Sequence, residues 1–304
     1  MKKLILYLKN LIRLLRIKHW IKNGLVFLPL FFSMRLTDWS ALSRALLGFA
    51  AFCLVASVVY VVNDIRDREK DRLHSTKCNR PIASGAVSVP AAAIVAVLFA
   101  AGAACILVYL GSIWAGVILA LYFLINIAYS CGMKNIPILD IVILAGGFVL
   151  RVMFGGVIIG EEVSSWLFFT VLAAAFFMGM GKRRNELMRE ENETRAVNKL
   201  YTKEFLDKNM YMCITLAVCF YAVWCITSPT VESFSNPGIT WTVPLVLVIF
   251  LRYSYRIERA GDGDPINVLL KDWILMGLVV LFLVYTVLVV YVPIPLFHEI
   301  SKII

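Results

Sequence analysis

Long apolar stretches, separated by short polar or charged segments, recur along the whole 304-residue chain. A helix that crosses the ~30 Å hydrocarbon core of a bilayer needs roughly 17–25 apolar residues, and lipid offers the backbone no other hydrogen-bond partner. The pattern therefore predicts an all-α integral membrane protein, a bundle of about nine transmembrane helices. The predicted spans are 20–34, 42–62, 89–109, 113–128, 138–159, 166–180, 210–226, 240–255 and 273–292.

Composition supports this fold class and narrows the function. Apolar residues make up 61% of the chain and charged residues 16%, and the mean hydropathy is +0.81. A soluble domain is nearer half apolar and a quarter charged, so the values exclude a soluble enzyme, a disulfide scaffold and a disordered chain. We expect membrane lipids as partners and no nucleic acid. A homo-oligomer is compatible with the sequence.

The positive charges are distributed unevenly. If the nine spans alternate in direction, nearly all of the 30 Lys and Arg residues fall on one side of the membrane. The positive-inside rule then places the N-terminus and the large loops in the cytoplasm. The basic segments are residues 2–22, 66–80, 134, 182–208 and 252–271.

The ends of the chain differ from its centre. In residues 1–19, leucine and isoleucine alternate with Lys and Arg, which predicts an amphipathic helix lying in the membrane interface. Residues 20–294 are expected to form a single transmembrane catalytic domain, and 295–304 a short extracytoplasmic tail. A second amphipathic helix is expected in the mixed-charge segment 183–207.

An acidic motif, Asn-Asp-Ile-Arg-Asp-Arg-Glu-Lys-Asp, follows the second span at 63–71. On a helix, Asn63, Asp67 and Asp71 recur every four residues, and Asp64 precedes Asp71 by seven, so they share one face. Like charges at this spacing repel, and their oxygen atoms suit Mg²⁺. The motif predicts a metal site. The alternative is a solvated charge run, although such a run beside a membrane would be mostly basic.

Cations near the predicted metal site suit phosphate. Lys77 and Arg80 stand just after the motif, where Pro81 and Gly85 predict a shaped turn rather than a continued helix. Arg binds phosphate oxygens through its planar fork, and Lys binds them as a point charge. These residues, like Lys182 and Arg183 at the exit of the sixth span, could alternatively serve only to orient the chain in the membrane.

The fifth span contains two ionisable residues, Asp140 and Arg151. Eleven residues are close to three helical turns, so both lie on one face, about 16 Å apart along the axis. A buried Arg in a membrane is costly and usually faces a polar cavity. Arg151 is therefore predicted either to line such a cavity or to bind the carbonyl groups of a broken helix.

Carboxylates for Mg²⁺ beside phosphate-binding cations, with no nucleophile–base pair, suit metal-assisted departure of pyrophosphate from a carbon that can bear positive charge. On these residues the chain resembles the UbiA superfamily of intramembrane transferases. That resemblance implies a nine-helix bundle in which the motif 63–71 holds Mg²⁺ and a diphosphate. Members that prenylate aromatic rings carry a second Asp-rich motif after the sixth helix, where this chain has Gly-Lys-Arg-Arg-Asn-Glu-Leu at 181–187.

Within the superfamily, several segments of the chain, including 63–71 and 181–187, resemble those of the decaprenyl-phosphate phosphoribosyltransferases. That branch acts in the arabinan precursor pathway. This implies phosphoribosyl diphosphate (PRPP) as donor, a polyprenyl phosphate as acceptor and Mg²⁺ as cofactor. It implies catalytic roles for Asp64, Asp67, Asp71 and Arg151, and metal binding by these three aspartates with Asn63. The implied substrate-binding residues are Lys22, Asn23, Asn63, Lys77, Arg80, Asp140, Lys182, Arg183 and Glu186.

Two other functions fit part of the pattern. An aromatic prenyltransferase shares the motif 63–71 but favours acidic residues at 181–187, where this chain is basic. A lipid-phosphate carrier or flippase could use the cations but has no need for an aligned set of acidic residues. We expect a multi-pass protein of the bacterial cytoplasmic membrane with its active site on the cytoplasmic side.

Overall fold

The computed structural model describes residues 2–188, 196–232, 234, 238–260 and 265–292, and within these ranges the chain is helical and contains no strand. Short 3₁₀ segments and turns connect the α-helices. The α-helices are α1 (Lys2–Leu15), α2 (Leu28–Phe32), α3 (Trp39–Arg66), α4 (Arg68–Arg72), α5 (Val89–Leu110), α6 (Ile113–Ser130), α7 (Leu139–Ile159), α8 (Ser165–Met188), α9 (Lys203–Thr227), α10 (Pro229–Glu232), α11 (Thr242–Ala260), α12 (Pro265–Lys271) and α13 (Trp273–Tyr291).

Seven of the described helices are long and apolar enough to cross a membrane: α3, α5, α6, α7, α8, α9 and α13. The all-α, multi-pass prediction is thereby confirmed, but the count of nine is not. The predicted span at 20–34 is instead a 3₁₀ helix, Ile17–Phe27, followed by the short α2. Pro29 lacks an N–H group, which restricts it to the first turn of an α-helix.

The predicted span at 240–255 also differs. Helix α11 has 19 residues, but its second half carries Arg252, Arg256 and Glu258, and it is not among the seven described helices that are apolar enough to cross a membrane. The N-terminal arm is helical as far as Leu15. Its position in the membrane interface remains a prediction.

The expected amphipathic helix at 183–207 is wrong where the structure describes it. Helix α8 continues to Met188, a 3₁₀ turn occupies Ala196–Leu200, and α9 already begins at Lys203. Residues 189–195 lie outside the described part of the chain, as do the predicted tail 295–304 and residues 261–264.

The chain divides into two compact units, and the first comprises Met1–Leu28, Trp39–Lys134 and Leu150–Glu161. In its core, Leu14 of α1 packs with residues of α3 and α5, including Val58, Val61 and Ala92. Apolar burial of this kind fixes the arm against α3.

An arginine joins three helices of the first unit. Arg44 of α3 donates from Nε to the carbonyl of Ile158 at 2.6 Å and from Nη2 to the carbonyl of Leu110 at 3.0 Å. These carbonyls belong to the last turns of α7 and α5, where no intrahelical donor remains. One side chain therefore satisfies the ends of two helices.

The second unit comprises Pro29–Asp38, Asn135–Val149 and Glu162–Ile304, so α7 contributes to both units. Its core includes Phe177, Leu206 and Ile257, from α8, α9 and α11. Gly181 permits close packing in this core, because a Cβ atom there would lie 2.8 Å from Ile257 Cδ1.

Candidate functional site

The acidic motif lies at the end of α3. Within the motif, the α-helical backbone is interrupted only at Asp67, between α3 and α4. Backbone hydrogen bonds from Asp67 N to Asn63 O (2.9 Å) and from Asp71 N to Asp67 O (2.8 Å) preserve the four-residue spacing across this point. The helical register predicted from the sequence is therefore present.

Two motif carboxylates are buried and meet at one arginine nitrogen. Asp64 is 2% exposed and Asp71 is 5% exposed. Arg80 Nη1 donates to Asp64 Oδ1 at 3.2 Å and to Asp71 Oδ2 at 2.7 Å. Arg16 Nη2 donates to the same Asp64 oxygen at 2.7 Å. The oxygens of two anionic side chains thus converge on a position that already holds positive charge.

The other two predicted metal ligands of the motif have different surroundings. Lys134 Nζ donates a hydrogen bond to Asp67 Oδ2 at 3.3 Å. The side-chain oxygen of Asn63 is buried and has no hydrogen-bond partner among the described residues. Leaving such an oxygen unsatisfied costs about 1–3 kcal/mol, which a bound cation or a water molecule would offset.

These donors can be compared with what a divalent cation needs. No three His, Cys, Asp or Glu side chains in the described part of the chain are grouped closely enough to hold a metal. Asp64, Asp67 and Asp71 therefore do not form the single cluster that the sequence predicted. Mg²⁺ usually takes only one or two carboxylates and completes its shell with substrate phosphate and water. Asp64, Asp71 and the unpartnered Asn63 oxygen fit that requirement.

A cavity of about 300 Å³ opens beside Asp64. It belongs entirely to the first unit and combines residues of the N-terminal arm, α3 and the loop that precedes α5. This volume is at the lower end of the range for small-molecule sites. Its lining residues are Arg13, Arg16, His19, Asp64, Thr76, Asn79, Arg80 and Pro81.

The loop that carries Arg80 has the shape that its sequence predicts. A 3₁₀ turn spans Lys77–Asn79, the Val87 N–H donates to the Pro81 carbonyl at 2.9 Å, and Gly85 has a φ of 76°. That φ lies in the left-handed region, which glycine adopts without a steric penalty. The turn holds Arg80 over the end of α3.

Arg151 is the centre of a second polar group in the first unit. It is 6% exposed. Its Nε donates to Asn23 Oδ1 at 2.8 Å, its Nη2 donates to the Tyr122 hydroxyl at 3.1 Å, and its guanidinium stacks on the rings of Phe52 and Tyr122. Both of these acceptors are side-chain oxygens. Arg151 ties the 3₁₀ helix Ile17–Phe27 to α6.

In the second unit, Asp140 and Arg183 form a fully buried ion pair, with Arg183 Nε 2.5 Å from Asp140 Oδ2. Arg183 Nη1 also lies 2.5 Å from Glu186 Oε2, which accepts a further hydrogen bond from Asn198 at 3.1 Å. Because the guanidinium is 0% exposed and bound by two carboxylates, its position is unsuited to the phosphate contact that the sequence predicted. The pair instead joins α7 to α8.

Tyr201 completes this buried group. Its hydroxyl donates to Asp140 Oδ1 at 2.6 Å and accepts from the Ile138 N–H at 2.5 Å. Burial, together with the hydrogen bond to Asp140, raises the pKa of Tyr201 to about 12, so the phenol stays protonated at neutral pH. Ile138 has a φ of 68°, an unfavourable value for a β-branched residue, and this hydrogen bond stabilises it.

The predicted site residues therefore fall into separate groups. The first unit contains the acidic motif with Arg80 and also the Arg151–Asn23 pair, whereas Asp140, Arg183 and Glu186 belong to the second unit. The lysines of the predicted substrate set are each half-buried, and their phosphate contacts remain predictions. They are Lys22, Lys77 and Lys182.

Sequence reasoning missed four partners of the predicted residues. Arg16 and Lys134 were counted only as positive charges on the cytoplasmic side, and Tyr122 and Tyr201 were assigned no role. Arg16 is 48 positions from Asp64, and Tyr201 is 61 from Asp140, so no local spacing connects them. The one available signal is that a buried charge requires a partner.

Comparisons with known proteins agree on one family. A sequence profile described as the UbiA prenyltransferase family matches residues 25–275. A Corynebacterium glutamicum protein named decaprenyl-phosphate phosphoribosyltransferase is 31% identical over 289 residues, covering 93% of this chain and 87% of the relative. A protein of the same name from Mycolicibacterium smegmatis is 32% identical, covering 91% and 90% of the two chains.

Solved structures share the fold. A UbiA homolog from Archaeoglobus fulgidus bound to GPP and Mg²⁺ superposes with a TM-score of 0.70 at 21% identity, covering 92% of this chain and 99% of that one. The same homolog bound to DMAPP and Mg²⁺ also gives 0.70, at 22% identity with the same coverage.

The buried Asp140–Arg183 pair makes a testable contribution to stability. We expect Asp140→Leu to lower the free energy of unfolding by about 3 kcal/mol, because it leaves a buried arginine with less compensating charge. The double variant Asp140→Leu with Arg183→Met removes both charges and should be more stable than Asp140→Leu alone. Thermal unfolding of the purified variants in detergent measures this. Strictly additive losses would show that the two side chains do not depend on each other.

Proposed function

Because the chain belongs to the UbiA prenyltransferase family, we propose that it transfers the 5-phosphoribosyl group of PRPP to a polyprenyl phosphate in a Mg²⁺-dependent reaction that releases pyrophosphate. The observation that carries this proposal is the likeness to two decaprenyl-phosphate phosphoribosyltransferases over about nine-tenths of each chain. The buried carboxylates and arginines around one cavity support it.

The residues of the first unit are suited to binding the donor. Asp64 and Asp71, with the Asn63 oxygen, would hold Mg²⁺. When bound, the metal would neutralise charge on the departing pyrophosphate. Arg80 and Lys77 would donate to diphosphate oxygens, and a guanidinium in a partly buried site makes stronger bonds to phosphate than in bulk water. Asp67 belongs to the motif, but its carboxylate contacts Lys134.

The acceptor requires little further chemistry. A polyprenyl phosphate is already anionic at neutral pH, so one of its oxygens can attack the ribose carbon without a general base. His19 lines the cavity, but no proton has to be removed for this reaction. Binding and positioning of two phosphorylated substrates are therefore the main tasks of the side chains.

A PRPP donor is a soluble, charged molecule that reaches the protein from the cytoplasm. The proposed location is the bacterial cytoplasmic membrane with the acidic motif on the cytoplasmic side. The basic residues of 66–80 support this orientation, because positive charge is retained on that side.

The first test combines the reaction with a change in the motif. Purified wild-type protein, given labelled PRPP, a polyprenyl phosphate and Mg²⁺, should transfer label to the lipid phase. Asp71→Asn keeps the shape of the side chain but removes one of the two converging charges. We expect it to lower turnover at least about tenfold, equivalent to ~1.4 kcal/mol.

The matched control is Glu69→Gln. Glu69 belongs to the same segment, but its side chain is 65% exposed and pairs with Arg68 at the surface, so this change should leave turnover nearly unaltered. The proposal is wrong if wild-type protein leaves the lipid unlabelled while it converts an aromatic acid and a prenyl diphosphate. Full turnover by Asp71→Asn would show that the Asp71 charge is not needed for transfer.

A second test concerns Arg151. Arg151→Leu removes the donor that positions Asn23 and leaves the buried Tyr122 hydroxyl without that partner, so transfer activity should fall at least about tenfold. Tyr122→Phe is the control, because it removes one partner and keeps Arg151 on Asn23. It should retain most activity. The measurement is the steady-state transfer rate of each variant that inserts and folds correctly. Unchanged activity of Arg151→Leu would assign Arg151 a purely structural role.

A further inference from the structure

The N-terminal arm contributes three residues to the cavity beside Asp64: Arg13, Arg16 and His19. Helix α1 ends at Leu15, and Arg16 turns the chain with a left-handed φ of 52° before the 3₁₀ helix begins. Ser57 of α3 fixes this turn, because its hydroxyl donates to the Leu15 carbonyl at 3.0 Å. The arm is thereby held against the wall of the cavity.

The charges on this wall are not balanced. Arg16 pairs with Asp64, and Arg80 pairs with both Asp64 and Asp71. Arg13 has no carboxylate partner among the described residues, and its Nη2 donates only to the carbonyl of Asn79, at 3.2 Å. The cavity therefore carries excess positive charge on the side that the arm forms.

The lining also indicates what kind of anion would bind. Pro81 is the only apolar residue among those that line the cavity in the described part of the chain, and three of the lining residues are arginines. Arginine forks match the geometry of phosphate oxygens, and several together suit a group with more than one negative charge. A soluble diphosphate has these properties.

We propose that Arg13 and Arg16 of the N-terminal arm form, with Arg80, a binding subsite for the diphosphate of a soluble phosphorylated donor. The naming of that donor as PRPP rests on the proposed function. A bound diphosphate competes with Asp64 for Arg16 and Arg80, which both contact Asp64 Oδ1. Diphosphate binding therefore releases this carboxylate oxygen from its arginine partners.

Inorganic pyrophosphate is the probe that tests the subsite. Its affinity for the full-length protein, in phosphatidylcholine nanodiscs and without added metal, can be measured by isothermal titration calorimetry. We expect Arg13→Gln to weaken binding about tenfold, and Arg13→Lys to weaken it less because a point charge remains. The control is Lys9→Gln, which removes one charge from an exposed position one turn earlier on α1, and it should change affinity by less than about twofold.

Unchanged pyrophosphate affinity in both Arg13 variants would overturn the subsite. A loss of affinity confined to polyprenyl phosphate, measured in the same nanodiscs, would also overturn the subsite. It would assign the arm to the lipid acceptor instead. The measurement does not depend on turnover. If pyrophosphate binding falls as expected while wild-type protein transfers no phosphoribosyl group, the subsite stands and the proposed function fails.

Discussion

Two buried carboxylates, Asp64 at the end of the apolar helix α3 and Asp71 in the short α4 that follows, share one nitrogen of Arg80. An ionised carboxylate loses its hydration when it is buried, and removing its only partner costs about 3–5 kcal/mol. The local structure follows from this constraint. The turn at Arg16 and the loop that carries Arg80 both supply positive charge to Asp64, and the cavity lies where these segments meet.

The same constraint acts elsewhere in both units, with different consequences. Arg151 donates to neutral oxygens of Asn23 and Tyr122. Arg183 is instead bound by the carboxylates of Asp140 and Glu186. The Arg183 charge is thereby neutralised, and the ion pair stabilises the packing of α7 against α8.

Local pattern predicts most of the fold. Helices α5, α6, α7 and α13 begin within one residue of their predicted starts, since apolar runs there are bounded by turn residues. Prediction failed where an apolar run contains Pro29, and where charges follow the apolar half of α11. The spacing of the acidic motif could be predicted from the sequence. The contact between the motif and Arg16 of the N-terminal arm could not. Arg16 reaches Asp64 through folding of the chain, not through helical spacing.

We propose that Asp64 and Asp71 bind the divalent cation beside the donor cavity. Crystals of the full chain soaked with PRPP and Mn²⁺, an oxygen-preferring substitute for Mg²⁺, test it directly through manganese anomalous scattering. We expect a peak in contact with Asp64 Oδ1 and Asp71 Oδ2, with Arg80 moved from between them to the donor diphosphate. A peak remote from both carboxylates, or Arg80 still bridging them beside bound donor, would contradict the claim.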